Sequence, residues 1–307
     1  MTRVVCVTPN PAVDVTYRVP VVETGASHRV ADVLERPGGK GVNVARVLRA
    51  LGVDTVVVAP LGGPGGRWLA DALAEGGLAA RAVPVAAATR RTVTVVDDSG
   101  AATAFNEPGR PVSVPEWASV VAAVTEEVRG ADALVVSGSL PAGAPDDLLP
   151  RLIAAARAAG VPAVADTSGP ALLSAAGAGP ALLKPNAEEL AAAVPGLDPA
   201  DAARRLLALG AGHVVVSQGA DGLLGLTGDG AAWRVAAVPG VAGNPTGAGD
   251  ATVAALVRGL VTGSPWPDVL VDAAALGAAA VLEAAAGEVD LAAYARFLPT
   301  LDAERVA

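Results

Sequence analysis

One cysteine, one methionine and two histidines occur in 307 residues, and aromatic side chains make up only 3% of the chain. A lone cysteine excludes an intramolecular disulfide, and Cys6, inside the apolar run Val4–Val7, reads as a small core residue. His28 and His213 are too few and too far apart in sequence to suggest a metal cluster or a Ser-His-Asp triad, so both read as structural. The formal net charge is −9 and no run of Lys or Arg occurs, so the electrostatic footprint of a nucleic-acid or anionic-membrane binder is missing. Apolar stretches are broken by Gly, Pro and charge before they reach spanning length. Met1–Val7 runs directly into a polar Thr-Pro-Asn-Pro turn without the apolar length of a signal peptide. A cytoplasmic protein whose partners are small molecules is the expectation.

What is present is 52% apolar sequence, enough for a substantial core. Short β-branched runs alternate with Ala/Leu-rich segments of helical period, the pattern of βαβ units around a mainly parallel sheet. Strands are expected at Val4–Val7, Thr55–Leu61, Ala133–Ser137, Ala163–Asp166, Leu182–Lys184 and His213–Ser217. Helices are expected at Val42–Leu51, Arg67–Glu75, Pro115–Val128, Asp146–Ala159, Ala187–Ala193, Pro199–Leu209, Ala248–Thr262, Pro267–Ala286 and Leu291–Phe297. Two stretches, about 12–36 and 89–107, break this rhythm by alternating apolar and polar residues, as half-exposed strands do. No linker or fixed-period repeat divides the chain, so one α/β domain of residues 1–307 with a small β-sheet lid is expected.

The scarce polar residues mark the candidate site. Lys40 and Lys184 are the only lysines, and Asn occurs only at 10, 43, 106, 186 and 244. Gly38, Gly39 and Gly41 surround Lys40 just before a helix, a turn that lets backbone amides approach a ligand while Lys40 adds charge. Asn244-Pro245-Thr246-Gly247-Ala248-Gly249-Asp250 opens another helix; its free amides form a concave anion site, and Asp250 is either a dipole-complementing carboxylate or a proton acceptor. Lys184-Pro185-Asn186 precedes a helix in which Asn186 and Glu189 either form a capping box or organise a nucleotide-bound Mg2+ through water. The turn Ser217–Gly222 suits nucleotide phosphates or ribose, although turn geometry alone also explains it.

These segments, taken in order, resemble the ribokinase-like sugar kinases. The nearest branch is phosphofructokinase B, which includes 1-phosphofructokinases and tagatose-6-phosphate kinases. The resemblance covers essentially the whole chain. It rests on Thr8-Pro9-Asn10-Pro11-Ala12-Val13-Asp14, the Gly38–Gly41 loop with Asn43, Thr89-Arg90, Asn106-Glu107-Pro108-Gly109, Ser137–Pro141, Lys184-Pro185-Asn186 and Gly247–Asp250. It implies a three-layer α/β/α fold whose β lid closes over the sugar and pairs with a second copy as a homodimer. It assigns Asp14, Gly38, Gly39, Lys40 and Asn43 to the sugar, with Lys40, Arg90 and Ser139 near the phosphate the sugar already carries. ATP is assigned to Lys184, Asn186, Ser217, Gly219, Gly222, Thr246, Gly249 and Ala279, and Mg2+ to Glu189 through water and to Asn186. Asp250 would be the base, with the Gly247, Ala248 and Gly249 amides as anion hole.

The expected reaction is ATP-dependent phosphorylation of a ketohexose monophosphate, fructose 1-phosphate first and tagatose 6-phosphate or fructose 6-phosphate as alternatives. Fructose-1-phosphate kinases commonly carry Asn and Lys two and four residues after the lid arginine; here Thr92 and Thr94 stand there. Asn244-Pro245 looks more like tagatose-6-phosphate kinases. A kinase for an unphosphorylated sugar would leave Lys40 and Arg90 without an anion. A non-catalytic sugar-phosphate sensor is the alternative of another class. A dehydrogenase is disfavoured, because no G-x-G-x-x-G follows the first strand.

Overall fold

The computed structural model describes residues 2–30 and 32–306. Ten strands form one sheet: β1 (Arg3–Val7), β4 (Asp54–Leu61), β5 (Ala79–Pro84), β8 (Ala133–Ser137), β9 (Ala163–Asp166), β10 (Leu182–Leu183), β11 (His213–Ser217), β12 (Leu223–Thr227), β13 (Ala232–Val235) and β14 (Ala303–Val306). Their spatial order is β14-β13-β12-β11-β10-β9-β8-β1-β4-β5. The seven strands from β5 to β11 run parallel, and β12 to β14 extend the sheet antiparallel at one edge. From β1 the chain first winds outward through β4 and β5, then returns to β8 on the other side of β1. That reversal is the topological switch point beside which such sheets bind ligands, outside the carboxyl ends of the strands.

Among the described residues, ten helices cover the two faces. α1 (Lys40–Ala50), α2 (Gly63–Glu75), α8 (Ala248–Thr262), α9 (Trp266–Val281) and α10 (Leu291–Phe297) pack on one. The other face carries α3 (Val114–Glu127), α4 (Leu148–Ala158), α5 (Pro170–Gly177), α6 (Ala187–Ala193) and α7 (Pro199–Leu209). Strand β1 feeds both cores through its two-residue period, sending Val4 and Cys6 to one and Val5 and Val7 to the other. Burial lifts the Cys6 thiol far above the range in which it would ionise, as expected of a small core residue. His213 stacks on Trp266 with ring centroids 4.5 Å apart.

The two out-of-rhythm stretches meet in a second sheet of order β3-β2-β6-β7, made of β2 (Ala12–Val19), β3 (Asp32–Gly38), β6 (Arg90–Asp97) and β7 (Ala102–Asn106). Strand β2 pairs antiparallel with β3 and parallel with β6, which sets Asp14 opposite Thr92.

Three sequence expectations are corrected here. Strands β5, β12, β13 and β14 and helix α5 were not anticipated. Helices α1 and α2 begin earlier, at Lys40 and Gly63, because glycines supply their N-caps. Helix α9 stops at Val281 rather than Ala286, since the Val281 carbonyl takes the Asn244 N–H at 2.9 Å and the chain turns back across the turn before α8.

Among the described residues, Trp117, near the start of α3, is the largest fully buried side chain, and its Nε1 donor has no partner. Trp117→Ala is expected to destabilise the protein by about 3–5 kcal/mol in urea denaturation. Trp117→Phe should cost less, because it also removes an unsatisfied donor.

Candidate active site

Four strands of the parallel sheet end in polar residues that converge. Ser137 closes β8 and Asp166 closes β9; the two are paired in register, and the Ser137 hydroxyl donates to Asp166 Oδ2 at 3.0 Å. Lys184 follows β10 and is 2% exposed, its Nζ 3.7 Å from Asp166 Oδ1. Ser217 closes β11, and its N–H donates to the Pro185 carbonyl, placing the Ser217–Gly222 turn beside Asn186. Lys40, the first residue of α1, reaches into the same space, 3.4 Å from Asp166 Oδ1 and 3.3 Å from Glu189 Oε1. Burial works against the Lys40 charge, but Asp166, Glu189 and Asp250 outweigh it and raise its pKa.

Glu189 is shared. Its Oε2 accepts the Asn186 N–H at 2.9 Å while Asn186 Oδ1 accepts the Glu189 N–H at 2.7 Å, a complete capping box on α6. Its other oxygen faces Lys40.

Across from this group stands the N-terminus of α8. Gly247 is its N-cap in left-handed backbone, φ 93°, and a Cβ there would strike Ala286 at 2.8 Å. The first-turn amides of this helix have no intrahelical partners, although the Ala248 N–H donates to the Pro245 carbonyl at 3.2 Å, and the dipole favours an anion in front of them. Gly249 lies over Lys184: a Cβ at that position would sit 3.5 Å from Nζ. Thr246 is exposed, its N–H held by Asn244 Oδ1 at 3.0 Å. Asp250 is 5% exposed and accepts a hydrogen bond from Asn43 Nδ2 at 2.8 Å. Burial, reinforced by Asp166, pushes its pKa from the ordinary 3.8 up to about 7, against the pull of Asn43, Lys40 and Lys184. Asp166 has the opposite fate: burial opposes its charge, but Lys184, Lys40 and the Ser137 bond together lower its pKa.

A second group sits under the small sheet. Arg90 donates through Nε and Nη2 to the Asn10 carbonyl, both at 3.2 Å, and through Nη1 to Glu107 O at 2.8 Å. Asn10 Nδ2 in turn contacts Ser139 Oγ at 3.3 Å and Pro108 O at 3.1 Å. Asp14 accepts the Thr92 hydroxyl; burial raises its pKa, opposed by Thr92, Arg90 and Arg46. A Cβ on Gly38 would run into the Asp14 carboxylate, so the glycine is what admits it. Lys40 stands between the two groups, its Cβ against Gly138, the neighbour of Ser139.

Most sequence-derived candidates therefore fall into these two adjoining clusters. Gly219 is exposed at the tip of its turn, whereas a Cβ on Gly222 would collide with the Val235 carbonyl, so sheet packing alone requires that glycine. Ala279 lies apart, fully buried within α9, with its carbonyl taking the Asp290 N–H at 3.4 Å. Sequence reasoning missed Asp166, the carboxylate both lysines share. The available signal was an acidic residue ending an apolar strand on the ligand-binding edge of an α/β sheet.

The doubly wound sheet, with a glycine-capped helix N-terminus, paired lysines and a buried carboxylate at its carboxyl edge, has the architecture of a kinase of small hydroxyl-bearing molecules. The chain belongs to the pfkB family of carbohydrate kinases, whose profile matches residues 1–292. It is 37% identical over 268 residues to the 1-phosphofructokinase of Rhodobacter capsulatus, covering 85% of this chain and 84% of that one. It is 36% identical over 272 residues to the ATP-dependent 6-phosphofructokinase isozyme 2 of Mycobacterium tuberculosis, covering 85% and 78% respectively. The crystal structure of phosphofructokinase-2 from Escherichia coli in complex with potassium superposes with a TM-score of 0.91 at 31% identity, over 98% of this chain and 99% of that one. ATP is the family's phosphoryl donor and so the cosubstrate here. No helix among the described residues is long and apolar enough to cross a membrane.

Two stability predictions follow from the charges. Asp166→Ala leaves Lys184 buried without a partner and is expected to cost about 3–5 kcal/mol in urea denaturation. Asp250 binds its proton more tightly when folded than when unfolded, so the stability it contributes is fully present below its unfolded pKa of 3.8 and is lost as pH rises through about 7. The neutral Asp250→Asn variant should therefore gain Tm relative to wild type between about pH 5 and about pH 8. A difference that stays flat across that range would contradict the placement of this carboxyl.

Proposed function

We propose that this protein transfers the γ-phosphoryl group of ATP to a ketohexose monophosphate, with fructose 1-phosphate giving fructose 1,6-bisphosphate as the first choice. The observation that carries the reading is the buried Asp250 carboxyl, poised near neutrality in the first turn of α8 and set beside two lysines. A carboxyl with that pKa accepts a proton from an attacking hydroxyl far better at neutral pH than an ordinary aspartate. In this reading the Gly247, Ala248 and Gly249 amides stabilise charge on the moving phosphoryl group and Lys184 flanks it. Lys40, assigned with Arg90 to the phosphate the sugar already carries, stands between the two clusters beside Asp166 and Glu189. The nucleotide lies along Lys184, Asn186, Thr246 and the Ser217–Gly222 turn. Glu189 and Asn186 would hold Mg2+ through water. One or two carboxylate-type ligands besides nucleotide phosphates suit that ion, and it would offset the charge of those phosphates.

The sugar occupies the space under the small sheet. Asp14 and Gly38 face its hydroxyls, and Arg90 and Ser139, both attached to Asn10, attract its existing phosphate. Thr92, which stands where related fructose-1-phosphate kinases carry Asn, bonds Asp14 directly and so contributes to the choice among fructose 1-phosphate, tagatose 6-phosphate and fructose 6-phosphate. The small sheet acts as a lid. Its exposed Val33, Leu34 and Phe105 suit pairing with a second copy as a homodimer. Work in the cytoplasm agrees with these substrates.

Asp250→Asn is expected to fold and bind ATP while losing about two to four orders of magnitude in turnover. Coupled assay of ADP release checks this, with kcat/KM compared for the three ketose phosphates, fructose and ribose. A preference for one phosphorylated ketose supports the reading. Activity on free sugars alone would overturn the assignment of Lys40 and Arg90.

A further inference from the structure

We infer that Glu288 is a positioning residue for the sugar side of the site: it holds the Arg36 guanidinium away from Asp14 and so leaves that carboxylate free for sugar hydroxyls. The inference rests on the proposed contact of Asp14 with the sugar. Strand register alone would bring the two charges together. Asp14 on β2 is paired directly with Arg36 on β3 and with Thr92 on β6, so the three side chains form a row across one face of the small sheet. Residues directly opposed on antiparallel strands have Cβ atoms about 4.5–5.5 Å apart, and opposite charges there attract. Among the described residues Arg36 nevertheless forms no ion pair with Asp14. Its Nη2 donates instead to Glu288 Oε1, 252 positions away, in the turn between α9 and α10.

The two carboxylates are held apart by different means. The turn that carries Glu288 is tied down by the Glu288 N–H on the Ala285 carbonyl at 3.4 Å and by the Asn244 amide on Ala284 O at 3.1 Å. Asp14 leans along its strand away from Arg36: its carboxylate fills the space beside Gly38, two residues further on in β3, and accepts the Thr92 hydroxyl. Glu35, next to Arg36 in β3, projects from the opposite face and pairs with Arg91 at 3.1 Å, so it does not draw on Arg36. The positive charges that Asp14 does feel are Arg90 and Arg46; burial raises its pKa, and the Thr92 bond and these two arginines oppose the rise. Arg90 is itself engaged by the Asn10 and Glu107 carbonyls, and Arg46 of α1 feels Glu288 as well as Asp14. With Glu288 neutralised, the carboxylate left opposite Arg36 is that of Asp14.

The test compares wild type, Glu288→Gln, Arg36→Gln, the double variant and Asp14→Asn in full-length protein. It measures kcat, ATP KM and sugar KM by ADP release, with Mg-ATP and whichever of the three ketose phosphates has the highest kcat/KM. Glu288→Gln should raise sugar KM about five- to tenfold, the size of an ion pair at a half-buried carboxylate, with kcat and ATP KM unchanged. Relative to wild type, that rise should shrink between about 0.1 M and about 1 M salt. Arg36→Gln should match wild type, and adding it to Glu288→Gln should restore sugar KM, because the competing cation is gone. An unchanged sugar KM in Glu288→Gln overturns the inference. A double variant as impaired as Glu288→Gln overturns it too, since the carboxylate then shapes the turn and not the charge on Asp14. A large rise in Arg36→Gln would make Arg36 a sugar-phosphate ligand, with the same consequence. If Asp14→Asn leaves sugar KM unchanged, the underlying assignment of Asp14 fails, whatever the other variants do.

Discussion

Two carboxylates, Asp166 and Asp250, are buried on one edge of a sheet, and the protein cannot keep both ionised without nearby positive charge. Lys184 and Lys40 provide it, but unequally: both approach Asp166 to within 4 Å, while Asp250 receives a neutral amide instead. The result is a division of labour set by environment. Asp166 stays charged and anchors the lysines; Asp250 is left near the middle of its titration, where a proton acceptor is most useful. In a chain with only two lysines, both are spent on this one balance.

The backbone is shaped around the same point. Segment 281–288 passes between the anion turn and α1, held by the Asn244 N–H on Val281 O and the Asn244 amide on Ala284 O at 3.1 Å. It touches Gly247 through Ala286 and Asn43 through Gly287, and its Glu288 pairs with Arg36 of the small sheet. One short turn therefore abuts the first turn of α8, the Asn43 that bonds Asp250, and the small sheet. Glycine at 247 is required by its close approach as well as by backbone angle, and at 287 chiefly by its left-handed backbone.

Much of this was legible in the sequence because the scarce residues carry it. Asn43, Asn186, Lys40 and Lys184 stood out against an Ala, Gly, Val and Leu background, and the parallel strands showed as continuous apolar runs. The missed strands are informative in a different way. β5 and β14 lie at the two edges of the large sheet and are mostly exposed, so they lack the apolar run that burial on both faces imposes. The Ala-rich run to Ala286 satisfies helix propensity, whereas the end of α9 at Val281 is decided by a long-range hydrogen bond no local pattern contains. Asp166 went unnoticed for a similar reason. Its partners, Lys40 and Ser137 among them, are distant in sequence and meet only through strand order.

The proposed activity is phosphoryl transfer from ATP to a sugar that already bears a phosphate. A 31P NMR time course of the protein with Mg-ATP and fructose 1-phosphate observes that transfer directly. The expected result is loss of the γ-phosphate resonance matched by equal growth of ADP and of a second phosphomonoester on the sugar. ATP left intact, or converted to ADP and inorganic phosphate with the sugar unchanged, would contradict it.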